Sequence, residues 1–523
     1  MDTIKYGVIK LMSKQESRTK IVIKNASVSL AQNYLTLIIS FVTRTVFIKT
    51  LGAEYLGVNG LFSDIFNMLS LMELGVGSAI TYYLYKPLYE KDSEKVKLLM
   101  DLYKKLYNTI SILIFIVGIL LIPFLGYIIE KTDIPNIELI YILMLINVAS
   151  SYLFSYRRTL LEADQKSYIN SINQLIFNIT KNIIQIIILV TLRNFYAYLL
   201  INIFTTVFSN IAISLKTKKL YPYLNEKSKE KLDKDERKII FSRMGAVMCH
   251  KIGSIVVYGT DNLLLSIVSN LKIVGLYSNY SMIINIVNTP INQIFNALIA
   301  SIGNVGVSED NHTSRLIFER INFIGYCLIS FCSIALFCLL NPFINIWLGN
   351  KYLLDETLVF VLVCNFFISA MKSIPGNFNY AKGLFWNTRF KPILEALANL
   401  IVSLILMNYL GIIGVFLGTT IGYLLTSFWI DPYVLYKNWF KVSFSNYLLT
   451  MFKYILITLI KGFITYKLVT FISLSNNLIT FIIQMTIVVV VPNLIMIFLF
   501  RKSENYIYAK NLLLNQLKTK LKK

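Results

Sequence analysis

Charge is scarce in this chain. Of 523 residues, Asp, Glu, Lys and Arg together supply 15%, against about 25% in an ordinary soluble domain. Acidic residues are the scarcer kind, with 28 Asp and Glu against 51 Lys and Arg. Histidine is nearly missing: His250 and His312 are the two present, too few for a zinc or haem centre of ordinary design. The five cysteines, Cys249, Cys327, Cys332, Cys338 and Cys364, all sit in apolar stretches and show no C-x-x-C spacing. They read as core packing, and neither a metal nor a cofactor is expected. These shortages exclude a soluble enzyme, a disordered chain and a disulfide scaffold.

What is abundant is apolar surface, at 56% of residues. A membrane helix needs roughly 20 apolar residues, and runs of that kind recur along the whole chain. They fall at 26–49, 57–85, 105–129, 137–156, 169–191, 196–215, 244–267, 274–302, 321–348, 357–381, 391–409, 411–436, 444–472 and 477–500. The expectation is an all-α membrane protein of about 14 transmembrane helices. The first run is too long for a cleaved signal peptide and contains Arg44, so it reads as an uncleaved span.

Charge placement tests that topology. With both termini cytoplasmic, the cytoplasmic segments hold 40 Lys and Arg, the external loops hold four (Lys131, Arg193, Lys272 and Lys351), and seven lie within spans. This is the positive-inside pattern. The net charge of +23 is therefore mostly topology, not a nucleic-acid footprint. The charged stretch KSKEKLDKDERK, inside 216–243, reads as a solvated cytoplasmic linker. It divides the chain into an N-terminal six-helix lobe (1–215), a C-terminal six-helix lobe (244–436), and two extra helices with a basic tail (437–523). The segments YLGVNGLF (55–62) and IVGLYSNY (273–280) follow the first helix of each half and are a faint internal repeat. All external loops are about eight residues or shorter, which leaves no room for the large external domains of membrane glycan polymerases.

Polar residues recur inside the spans at helical spacing. Ser29, Asn33, Thr36, Ser40 and Arg44 share one face of the first helix, within about 80°. Asn170, Gln174, Asn178, Lys181 and Gln185 do the same in the fifth, and Ser281, Asn285, Asn288, Asn292 and Asn296 in the eighth. Such stripes either hydrogen-bond one helix to another or line a hydrated cavity. Ionisable residues inside spans are costly, which makes Arg44, Asp64, Glu73, Lys181 and Asp261 notable. Three roles remain open for them: a structural ion pair, an anion site built on Arg44, or ion coupling through Asp64, Glu73 or Asp261. His250 can titrate near neutral pH but lies close to the cytoplasmic end of its helix. Glu395 descends one face of the eleventh helix with Asn399 and Ser403.

Several segments resemble a known family. They are GVNGLF (57–62), ELGVGSAI (73–80), YLYKPL (83–88), ADQ (163–165), HKIGSIVVYGTDN (250–262), VGLYSNY (274–280), KPILEALANL (391–400) and GVFLGT (414–419). In order and spacing they resemble the bacterial lipid-linked oligosaccharide flippases, the Wzx-type polysaccharide exporters of the superfamily that includes MATE multidrug antiporters. The resemblance implies two six-helix lobes around a central cavity, working by alternating access. It implies an undecaprenyl-diphosphate-linked glycan as substrate, with Arg44, Lys181 and Lys251 as basic positions for the diphosphate. Sparse cavity charge departs from peptidoglycan-precursor flippases and suits a more neutral oligosaccharide, read by Asn33, Ser40, Asn178, Asn285, Asn288 and Asn292.

The function expected is translocation of lipid-linked repeat units across the bacterial cytoplasmic membrane, for O-antigen or capsule. Asp64, Glu73, His250, Asp261 and Glu395 are the ion-coupling or gating candidates. Membrane lipid, and a polysaccharide polymerase with its chain-length machinery, are the partners to expect; nucleic acid is not. Two readings compete: a MATE-type small-molecule antiporter, whose cavity would concentrate carboxylates, and a membrane glycan polymerase or ligase, which the short loops oppose.

Overall fold

The computed structural model describes residues 2–73, 76–129, 132, 134–226, 233, 235, 237–238, 240–241, 263–299, 302–303, 310–472, 474 and 476–521. Helices carry almost all of them, with no strand among the described residues. The chain divides into two compact units, Met1–Gly275 and Leu276–Lys523. Eleven described helical segments are long and apolar enough to cross a membrane. Large apolar side chains such as Phe452, Phe498 and Ile38 stay exposed on helix flanks, as lipid-facing surfaces require.

The first unit begins with α1 (Asp2–Leu51) and α2 (Ala53–Leu69), followed by a 3-10 turn, Ser70–Glu73, and α3 (Val76–Glu90). The run 57–85, expected as one span, is thus two shorter helices. The α-helix gives way at Ser70, where the chain tightens into the 3-10 turn. Next come α4 (Ser93–Leu120), α5 (Leu125–Ile128), α6 (Ile137–Tyr152), α7 (Tyr156–Ala163), α8 (Ser167–Thr191) and α9 (Phe195–Leu220). α4 starts well before the apolar run at 105 because Asp92 caps it, accepting from the Lys95 amide at 2.9 Å.

α1 lies along α8, pinned by Ser29 and Ser171 at 3.0 Å. Asn25 donates to the Gln165 carbonyl and accepts from the Tyr168 amide. α4 meets α6 through Ser111, which donates to the Ala149 carbonyl, and through Tyr141, which donates to the Gly118 carbonyl. Arg157 and Arg158 of α7 look like loop cations in the sequence. They are instead buried or half-buried and bonded into α9, to the Ser214 carbonyl and to Ser209 and Asn210.

Within this unit Gly57 faces Gly275. A Cβ at Gly57 would strike the Leu271 carbonyl, and one at Gly275 would strike the Ala53 carbonyl. Each glycine sits on the residue four positions before the other, a close two-fold-like crossing that only small residues permit.

The second unit takes in α10 (Leu271–Ala297) from Leu276 onward, then α11 (Asn311–Leu348), α12 (Glu356–Ala381), α13 (Lys391–Leu410), α14 (Ile412–Leu425) and α15 (Ser427–Leu435). A π-helical turn, Tyr436–Phe440, leads to α16 (Ser445–Phe471), α17 (Asn477–Phe500) and α18 (Glu504–Leu521). The break between α13 and α14 falls at Gly411, whose φ of +56° suits glycine. α13 and α14 then fold back tightly, because Gly414, Gly418 and Gly422 leave no space for a side chain against Leu406, Ser403 and Asn399. α16 and α17 dock on α11 through an apolar cluster of Ile334, Cys338, Val469 and Val488.

Candidate functional site

A cavity of about 420 Å3 lies inside the first unit, among α2, α6, α8 and α9. α2 contributes Asn59, Ser63 and Asn67, and the 3-10 turn after it Ser70; α6 contributes Asn147, Ser151 and Tyr152; α9 contributes Asn202 and Thr206. Spacings of three and four put Asn59, Ser63, Asn67 and Ser70 on one face, as they do Asn147 with Ser151 and Asn202 with Thr206. α8 contributes Lys181, the one charged side chain in the lining. It makes no ion pair or hydrogen bond with any described residue. An ammonium held within a span without a counter-charge costs at least ~2.5–3.5 kcal/mol.

The hydrogen bonds around the cavity fix what each group can still do. Ser63, Ser70 and Ser151 donate to the carbonyls of Asn59, Asn67 and Val148 in their own helices, so their oxygens are left to accept. Thr206 donates to Asn147 Oδ1 at 2.9 Å, and Gln185 donates to Asn202 Oδ1 at 3.0 Å. The amide nitrogens of Asn147 and Asn202 are left to donate.

Glu73 sits one side chain from this cavity. It accepts from Tyr107, and Tyr152, which lines the cavity, stands beside it. Tyr103 closes the group and shares a 3.0 Å hydrogen bond with Thr159. Among the other candidates, Arg44 is half-buried on α1, in electrostatic range of Tyr198 on α9. Phe47, one turn on, packs edge-on against Phe195 and Tyr198. Asn33 is exposed and Ser40 half-buried. Asp64 is half-buried on α2 but does not line the cavity. Asn178 accepts from Asn182 through its backbone carbonyl. The α8 stripe is split in function. Asn170 and Gln185 bond to α7 and α9, whereas Lys181 faces the cavity. His250, Lys251 and Asp261 lie outside the described residues.

In the second unit, Glu395 is buried and paired with Lys372 at 2.5 Å, and it accepts from Ser427. Lys391 pairs with Asp431 at 2.6 Å, and Asn379 donates to the Asp431 carbonyl. On α10, Asn285 is exposed and donates to Ser281 at 3.4 Å; Asn288 and Asn292 are half-buried. Lys461 of α16 is fully buried, donating to Ser330 at 2.7 Å beside the Tyr326 ring.

This unit holds a second cavity, of about 600 Å3, among α11, α12, α14 and α16. Its walls are almost wholly apolar, built from Ile334, Phe337, Val363, Phe367, Leu424, Ile455, Leu459 and Phe463, with Gly462 leaving room in one wall.

The polar lining of the first cavity is the main feature that sequence reasoning passed over. Asn59, Ser63, Asn67 and Ser70 form a stripe as regular as those on α1, α8 and α10. The same stretch also carries the carboxylates Asp64 and Glu73.

Solved structures share this fold. A lipid II flippase, MurJ, in an inward closed conformation superposes with a TM-score of 0.63 at 17% identity, covering 90% of this chain and 98% of that one. An inward-facing multidrug resistance MATE family transporter of the MOP superfamily gives 0.63 at 12%, covering 79% and 97%. The Vibrio cholerae MATE transporter VcmN in its bent form gives 0.52 at 14%, covering 79% and 98%. No curated protein matches the sequence at a significant level. The family model described as polysaccharide biosynthesis protein matches residues 22–302, more than half of the chain. With its apolar helices and its transporter fold, this multi-pass membrane protein belongs to the polysaccharide biosynthesis protein family.

Proposed function

We propose that this protein carries a lipid-linked oligosaccharide repeat unit from the inner to the outer leaflet of a bacterial cytoplasmic membrane, for O-antigen or capsule assembly. The observation that carries this reading is the match to the polysaccharide biosynthesis family in a chain with the fold of a flippase. An undecaprenyl-diphosphate glycan has a hydroxyl-rich head and a long apolar tail. The chain holds one cavity walled by amides and hydroxyls and another walled by aromatic and aliphatic side chains. The first suits sugars and the second suits a polyprenyl chain.

In this reading Arg44 contacts the diphosphate by charge-assisted hydrogen bonds. Asn288 and Asn292 contact sugar hydroxyls. Glu73 and Asp64, with His250 and Asp261, respond to the driving ion. Glu395 is held by Lys372 and acts as a gating latch within its unit. Both termini lie in the cytoplasm, and a glycan polymerase takes the product on the far side.

A deletion strain tests the reading. Its lipids are extracted and undecaprenyl-linked oligosaccharides are measured beside the surface glycan. Complete repeat units accumulate while the surface glycan disappears. An unchanged lipid pool with lowered drug tolerance would instead assign the chain to small-molecule efflux.

A further inference from the structure

We propose that the polar cavity of the first unit is a binding site for a singly charged acidic sugar, a uronate-type residue within the glycan head group. This deepens the flippase reading and rests on it.

Four features of the cavity point to that ligand. Its volume of about 420 Å3 lies within the range of small-molecule sites, roughly 300–1,000 Å3. Lys181 supplies one positive charge and has no described partner, and the lining contains no carboxylate. One ammonium balances one negative charge, so the site suits a carboxylate better than a diphosphate, which carries at least two. The amide oxygens of Asn147 and Asn202 already accept from Thr206 and Gln185, and their nitrogens, which only donate, remain for a ligand. They extend the anion site beyond Lys181.

The serines select for hydroxyl groups. Ser63, Ser70 and Ser151 spend their protons on their own helices, so their free oxygens accept from a ligand hydroxyl. A halide has no hydroxyl to give them; a sugar acid has both the carboxylate and the hydroxyls. The rings of Phe66 and Tyr152 complete the wall and offer flat apolar surface to a sugar face.

The test uses the purified full chain in nanodiscs and calorimetric titration with glucuronate, glucose and inorganic phosphate. Glucuronate binds, and glucose binds at least about tenfold more weakly, since hydrogen bonds to charged groups are the stronger kind. Lys181→Gln brings glucuronate down to the glucose level, and Lys181→Arg restores part of the difference. Equal binding of glucose and glucuronate by the wild type overturns the proposal without any variant. So does undiminished glucuronate binding by Lys181→Gln. Phosphate binding as tightly as glucuronate, and lost in Lys181→Gln, reassigns the site to the lipid carrier's phosphate and also overturns it. The deletion-strain lipid measurement keeps the two levels apart. Accumulated repeat units with no glucuronate binding leave the flippase reading intact and remove only the acidic sugar.

Discussion

The two units solve the same problem, polar groups inside a membrane-spanning fold, in opposite ways. In the second unit two lysines are paired with carboxylates, Lys372 with Glu395 and Lys391 with Asp431, and the buried Lys461 donates to Ser330. Its large cavity is left apolar. In the first unit the cavity itself is polar, and its single cation, Lys181, has no partner among the described residues. A buried cation with a carboxylate at 2.5 Å is a structural element. One that faces an open, amide-lined space is available to something else. The lesson is that a charge within a span has to be read together with what faces it.

The sharpest way to break this comparison is to neutralise one cation in each unit. Lys372→Met leaves Glu395 buried with Ser427 as its remaining partner. Removing one member of a buried pair costs about 3–5 kcal/mol. A steep fall in the melting temperature of the purified protein is expected. Lys181→Met removes no ion pair and is expected to hold or raise the melting temperature. Equal losses from the two substitutions would erase the distinction between the units.

Next come the glycines. Gly57→Ala places a methyl group on the Leu271 backbone carbonyl, where no rotamer change gives relief. Overpacking of this kind costs about 1–3 kcal/mol, and more against rigid backbone. Gly462→Ala puts the same methyl 3.6 Å from Ile334, an ordinary contact, and is expected to be neutral by the same melting measurement. Gly462→Leu goes further and fills the apolar cavity. The unit is expected to stay folded while glycan export falls tenfold or more, since each displaced methylene in an apolar pocket is worth about 1–3 kcal/mol. Full export by a folded Gly462→Leu protein would remove the cavity from the mechanism.

The sequence carried the helical class and the membrane placement because apolar runs of span length are a strong signal. The faint internal repeat contains two glycines whose contact only the structure reveals. Gly57 and Gly275 hold the same place in YLGVNGLF and IVGLYSNY, the segments that look like an internal repeat, and the structure sets them face to face. What did not show was which polar residues work and which merely bond helices together. Asn170 and Lys181 share one stripe by angle, but Asn170 donates to the Arg158 carbonyl while Lys181 meets a cavity. That outcome depends on which helix lies opposite, and periodicity within one helix holds no such information. Arg157 and Arg158 follow the same rule. Two adjacent arginines at the end of an apolar run look solvated until α9 is known to run beside them.

The smallest effect separates individual helix starts by acidity. Asp310 and Asp355, both in the second unit, cap α11 and α12 from outside the spans. Asp310 accepts from the Thr313 amide at 3.0 Å and Asp355 from the Thr357 amide at 2.9 Å. Hydrogen bonds from these threonines to the ionised forms hold both carboxyls below the usual value. A depressed carboxyl stabilises the fold above its unfolded pKa, and that stabilisation is lost as pH falls through the lower folded value. In the first unit α9 is capped instead by Asn194, which accepts from the Ala197 amide at 3.0 Å and does not titrate. Acidification from pH 7 toward pH 3 is therefore expected to loosen the starts of α11 and α12 while leaving the start of α9 protected, as read by amide hydrogen exchange. Asp355→Asn keeps an acceptor but removes the charge, so protection at the start of α12 should become independent of pH over that window while α11 still responds. If α12 kept its full pH response in that variant, some other acid would be governing it.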